Sequence, residues 1–186
     1  MQKPLWMRPM IVGRNPKWTL VRVIILVMTC FFIFKFVLIP IRIVGPSMEP
    51  NYHNGRWNFV NKLAYRNADP QRGDVVAVRW MGEQVMLCKR IIGLQGELIQ
   101  LRPPSFGGEV PRAGGIYVNN QLLFEDYVRK SVDKSWYFRR FSWWSQREWS
   151  LAKDQYLVIG DNRSMRIYDH TFGVVPKGDI LGKVLF

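Results

Sequence analysis

Residues 1–40 contain no aspartate and no glutamate, while Lys3, Arg8, Arg14, Lys17, Arg22 and Lys35 are all basic. With no acidic partners, this stretch cannot be a helix laced with surface ion pairs. Cysteine and histidine are scarce too: Cys30 and Cys88, His53 and His170 are the full set. No CxxC or HExxH occurs, so neither a metal site nor a bound cofactor is expected. Cys30 falls inside an apolar run, which argues against a disulfide with Cys88. A nucleophile elbow GxSxG is absent, which excludes that route to an activated serine. Zinc-finger spacing, RNP-like aromatics and a recognition-helix signature are also missing, so no nucleic-acid partner is expected despite the net charge of +13. A basic excess can equally meet anionic lipid, and roughly half of it lies in residues 1–40.

Residues 19–41, TLVRVIILVMTCFFIFKFVLIPI, form the one long apolar run. Its uncharged centre, Val23 to Phe34, is short for a bilayer. The run reaches spanning length once the side chains of Arg22 and Lys35 extend toward the headgroups. A buried core helix is the ordinary alternative. Residues 1–18 form a basic flank, and no small-x-small cleavage site follows the run, so an uncleaved transmembrane anchor is expected. The flanking charge places residues 1–18 in the cytoplasm and residues 42–186 across the membrane.

Beyond residue 41 the pattern is mostly β. Short runs of branched and aromatic residues occupy 57–65, 74–80, 84–94 and 97–101, divided by turn pairs such as Gln95-Gly96. Further strands are expected at 116–123, with Asn119-Asn120 as a hairpin turn, at 154–161, and in FGVVP and ILGKVLF at the end. The expected fold is a mostly β, antiparallel domain behind a single N-terminal transmembrane helix. A variable loop and aromatic region covers about 102–150. Within it, WYFRRFSWWSQREW (136–149) interleaves aromatics with arginines, as packed strands or a headgroup-layer belt would.

Where the apolar run ends, the chain reads IVGPSMEPN (43–51). Gly, Pro and Ser are common turn formers, but the same turn could present Ser47 as a nucleophile beside the bilayer. A histidine base would have to be His53, close by in sequence, or His170, next to Asp169. Cys88 is a conceivable nucleophile. Lys89 and Arg90 interrupt the apolar stretch VMLCKRIIGL and point to opposite faces of a strand, so one of them turns inward. A lysine among apolar neighbours loses the water that stabilises its charge and becomes a neutral base near pH 7. A lysine that simply snorkels to solvent fits the same stretch.

Four segments together resemble type I signal peptidases, the membrane-anchored Ser-Lys proteases of the S26 family. GPSMEPN resembles the serine box, with Asn51 where Thr is common; RGDVVAV (72–78) resembles the Arg-Gly-Asp strand. CKRIIGLQGE (88–97) resembles the lysine box, and GDNRSMRIYDHTFG (160–173) the final box, with Asp161, Asn162 and Arg163 in place. VNNQLLFEDYV and VPKGDILGKVLF are weaker echoes.

The resemblance implies Ser47 as nucleophile and Lys89 as general base, with Arg90 and the final box in support. The substrate would be an exported preprotein, cut after a small-x-small motif to remove its signal peptide, with membrane lipid and the secretion machinery as further partners. The setting would be a bacterial plasma membrane, or alternatively an organellar inner membrane. The nucleophile's own N–H would serve as oxyanion donor; Gly45 stands where some members carry a helping hydroxyl, and Met48 resembles a residue bordering the substrate pocket. The final box departs from the family pattern, with Arg166 at its usual serine and Tyr168 at its usual aspartate. Asp169 is the candidate replacement acid and Ser164 a candidate hydroxyl. That departure motivates the alternative of a non-catalytic relative that binds preproteins or membrane partners.

Overall fold

A computed structural model describes residues 16–80, 85–102, 115–128, 147–163 and 172–185. The first helix, α1 (Pro16–Phe32), opens on a proline, whose fixed φ and missing N–H suit a helix start. None of its residues is buried by the rest of the protein. One π-helical turn, Ile33–Val37, extends it, and Pro16–Val37 has a mean hydropathy of 2.5 over its most apolar window. By length and composition this 22-residue helix can cross a membrane. Lys35, deep for a cation, places Nζ 5.4 Å from the Phe31 ring centre and 5.3 Å from that of Phe36. The ring faces attract the ammonium, which reduces the cost of its depth.

The expected 19–41 segment is divided in the structure. Helical winding stops at Val37, and Leu38–Arg42 is a strand, β1. Leu38-Ile39-Pro40-Ile41 is apolar enough to read as membrane chain, but Pro40 cannot continue a helix and suits an edge strand. Two bonds from Lys62 hold the helix end. Its backbone N–H donates to Val37 at 2.9 Å, and its Nζ donates to the Lys35 carbonyl at 3.0 Å.

The remaining strands are β2 (Trp57–Asn61), β3 (Val75–Trp80), β4 (Val85–Gly93), β5 (Leu98–Arg102), β6 (Gly115–Val118), β7 (Gln121–Leu122), β8 (Arg147–Ser150), β9 (Gln155–Ile159), β10 (Gly173–Pro176) and β11 (Ile180–Val184). Seven of them form one sheet in the order β1-β2-β11-β3-β4-β9-β10, and four form a second, β7-β6-β5-β8. Every pairing among the described residues is antiparallel. The mostly β, antiparallel reading of the sequence therefore holds. Asn119 and Asn120 do form the β6–β7 turn, both with positive φ, as a tight hairpin demands.

Alternation explains why β3 and β9 are almost wholly apolar. Val76 and Val78 join one core cluster and Val75 and Ala77 another; Tyr156 and Val158 join one, Leu157 and Ile159 another. Both faces of the large sheet are thus covered there. The cluster that holds Leu157 and Ile159 also takes in Ile92, Ile99, Leu101 and Ile116 and fills the space between the two sheets. Gly93 lies where they meet: a Cβ there would stand 2.7 Å from Leu151 and 2.8 Å from Ile99. The 136–149 aromatic segment lies outside the described residues up to 146, and its last residues enter β8.

Candidate active site

The Gly-Pro-Ser turn leaves the end of β1. Gly45 has φ +96°, a conformation that favours glycine, and its N–H donates to Asn54 Oδ1 at 3.0 Å. Two bonds from Asn162 fix the turn from the other side, its N–H to the Ser47 carbonyl at 3.0 Å and its Nδ2 to the Pro46 carbonyl at 2.9 Å. Ser47 is half-buried. Its own N–H has no acceptor among the described residues. Met48, next along, is fully buried against Val60, Val75, Ala77 and Val184, beneath the turn rather than along its groove.

β4 supplies the facing side chains. Lys89 and Arg90 part as strand alternation requires. Lys89 Nζ lies 2.7 Å from Ser47 Oγ, and Lys89 is 2% exposed. Burial lowers its pKa from 10.5 to about 8, opposed by Cys88 and Asp161. Neither opponent is an effective counter-charge. Burial pushes the Cys88 thiol up to about 12, so it is uncharged at neutral pH, and Asp161 is engaged elsewhere.

That engagement is Arg90. Its Nε donates to Asp161 Oδ1 at 2.7 Å and its second terminal nitrogen to Oδ2 at 2.5 Å, a two-pronged pair. Another nitrogen donates to the Gly73 carbonyl at 2.7 Å, and the guanidinium sits 4.1 Å over the Tyr127 ring. Asn51 adds an Nδ2 bond to Asp161 at 2.8 Å and one to the Tyr127 carbonyl at 3.0 Å. Arg163 is 4% exposed; its Nε bonds the Gly160 carbonyl at 2.8 Å, and its terminal nitrogens bond both oxygens of Glu125.

Ser47, Lys89, Gly45, Arg90, Asp161, Asn162 and Arg163, expected from the sequence, thus lie in one connected site. Asp169, Arg166, Tyr168, Ser164 and His170 fall outside the described residues. His53 is exposed in a turn. A thiol raised to about 12 makes Cys88 a poor nucleophile at neutral pH. Sequence reasoning missed Glu125, Tyr127 and Asn51. Their signal was faint: Glu125 and Tyr127 sit in the weaker echo LFEDYV, and Asn51 registered only as a departure from Thr.

Beside Ser47 runs a groove of about 240 Å³ lined by Ile41, Ile43, Val44, Met86 and Cys88, among others. Both its walls carry unpaired strand edges. β1 ends the large sheet, and β9 pairs with β4 only from Arg90 onward, so Met86–Cys88 lack a neighbour on that side among the described residues.

Comparison with known proteins identifies the family. Residues 17–186 match the family model described as signal peptidase, peptidase S26. Signal peptidase IB of Staphylococcus aureus is 26% identical over 158 residues, covering 84% of this chain and 80% of that protein. The probable signal peptidase I-2 of Synechocystis is 29% identical over 147 residues, 76% of this chain but 58% of its own length. A crystal structure of a signal peptidase I from Enterococcus faecalis aligns with a TM-score of 0.43 at 24% identity, over 62% of this chain and 96% of that one. This chain belongs to the signal peptidase family, peptidase S26, a family of serine peptidases.

Proposed function

We propose that the protein is a membrane-bound endopeptidase that removes N-terminal signal peptides from exported preproteins through a Ser47–Lys89 dyad. The observation that carries this reading is the 2.7 Å contact between Lys89 Nζ and Ser47 Oγ, with Lys89 buried and its pKa lowered to about 8. A neutral amine at this distance accepts the hydroxyl proton as Oγ attacks the scissile carbonyl carbon. The resulting oxyanion meets the unpartnered Ser47 N–H. The ammonium then gives its proton to the leaving amine as the C–N bond breaks. Water attacks the acyl-enzyme ester, loses its proton to Lys89 and frees Ser47.

An extended substrate fits between the two free strand edges, adding backbone hydrogen bonds on both sides. The small groove beside Ser47 suits the small-x-small residues before a signal-peptide cut. The helix Pro16–Val37 serves as the membrane anchor, with the basic N-terminus in the cytoplasm and Ser47 near the outer face of a bacterial plasma membrane. There the dyad meets preproteins as the secretion machinery delivers them. The test is incubation of detergent-solubilised protein with a model preprotein, followed by N-terminal sequencing of the product. Cleavage after a small-x-small motif, lost in Ser47→Ala, supports the reading; intact preprotein at every enzyme concentration contradicts it and favours a binding-only relative.

A further inference from the structure

Two cations flank the dyad, Arg163 buried and Arg90 partly buried, and each is paired with an acid. Arg90 takes Asp161, whose side chain is 0% exposed. Arg163, with its side chain 2% exposed, takes Glu125, at 13%. Guanidinium does not deprotonate in proteins, so a buried one calls for a counter-charge. Glu125 comes from outside the four sequence boxes, on the chain that leaves β7 in the second sheet.

Tyr127 joins the two pairs. Its ring lies under Arg90, its hydroxyl donates to Glu125 at 2.5 Å, and its carbonyl accepts from Asn51 of the serine turn. Asn162, which grips the Pro46 and Ser47 carbonyls, has these anchored residues on either side, Asp161 before it and Arg163 after. Both ion pairs thus anchor the residues that flank Asn162.

We infer that Glu125 is a positioning residue: with Tyr127 it forms a strap from the second sheet that holds the 160–163 loop, and through Asn162 holds Ser47 against Lys89. The inference rests on the dyad reading for its kinetic consequence. Its structural part is tested independently, because hydrogen exchange at the Asn162 amide is read without any cleavage at Ser47.

The experiment uses full-length protein in detergent. Glu125→Ala should lower kcat for preprotein cleavage at least tenfold while KM stays within about twofold. Asn162→Ala should also lower kcat, and the double variant should be no slower than the slower single one, since both act through one contact. The peptide carrying the Asn162 amide should exchange hydrogen faster in Glu125→Ala, with β3 still protected. If Glu125→Ala fails to fold, Tyr127→Phe carries the test: it keeps the ring and loses the bond to Glu125, and should lower kcat with KM unchanged. Phe124→Ala, at an 80% exposed neighbour, should leave kcat as it is. Unchanged kcat and unchanged exchange in Glu125→Ala would overturn the inference, as would a double variant whose losses multiply. Failure of the dyad reading looks different, as full cleavage by Lys89→Ala, and the exchange measurement still decides the role of Glu125.

Discussion

Lys89 Nζ stands 2.7 Å from Ser47 Oγ while its neighbour Arg90 grips Asp161 with two bonds. One strand thus delivers a cation that keeps its charge and an amine that burial encourages to lose it.

The pH dependence follows from this split. Lys89 acts as a base only when neutral, and its pKa lies at about 8. The rate constant kcat/KM should rise about tenfold per pH unit below that value and level off above it. Initial rates between pH 6 and 10 check this; a profile already flat from pH 6 would contradict a base that titrates at about 8.

Stability rises with pH too, but in a higher window. The pKa of Lys89 is lower in the folded chain than the ordinary 10.5, so between about pH 8 and 10.5 the unfolded chain binds more protons and stability rises with pH. Below pH 8 the ammonium form destabilises the fold. Lys89→Met should therefore abolish cleavage and stabilise the protein at pH 7 by about 2–3 kcal/mol. Urea unfolding of both forms at pH 7 and pH 11 measures this, and the difference should shrink at the higher pH.

Most of this site was legible because its residues lie in four segments that resemble the family's boxes, although their contacts join residues 42 to 116 positions apart. Lys89 and Arg90 stood out as charges within an apolar strand, and Gly45-Pro46-Ser47 as a turn at the end of an apolar run. The helix-to-strand change at Val37 was hidden, because Leu38–Ile41 is as apolar as the helix before it and only Pro40 marks the break. Glu125 was hidden for another reason: it lies outside the four boxes, on an exposed-looking polar stretch after β7, and meets Arg163 only through the fold. No local pattern reports a contact of that kind.

The turn itself has a fixed conformational demand. Gly45 has open space around a would-be Cβ, so Gly45→Ala meets no clash and isolates the backbone term. At φ +96° the alanine should cost about 1 kcal/mol and tilt Ser47 away from Lys89. Thermal unfolding and kcat should fall together; wild-type values for both would mean the turn is more tolerant than its geometry indicates.

The junction with the helix predicts a difference between substrates. The helix end reaches β1 with no linker and is held by Lys62. Lys62→Met should reduce cleavage of a preprotein anchored in proteoliposomes several-fold and leave cleavage of a soluble peptide near wild type. Equal losses on the two substrates would place the effect in the catalytic domain instead of its height above the bilayer.

Groove width can be tested at Cys88, which lines the groove beside Ser47. Cys88→Phe should raise KM at least tenfold for a substrate with alanines before the cut, because the ring takes space the substrate needs. A KM unchanged by this substitution would move the substrate path elsewhere.

The most direct measurement is single-turnover cleavage of a model preprotein by wild type and Lys89→Ala, each shown to be folded. Rapid cleavage by wild type and none by Lys89→Ala is the predicted result. Equal cleavage by both would contradict the Ser47–Lys89 dyad and make His170 the next residue to replace.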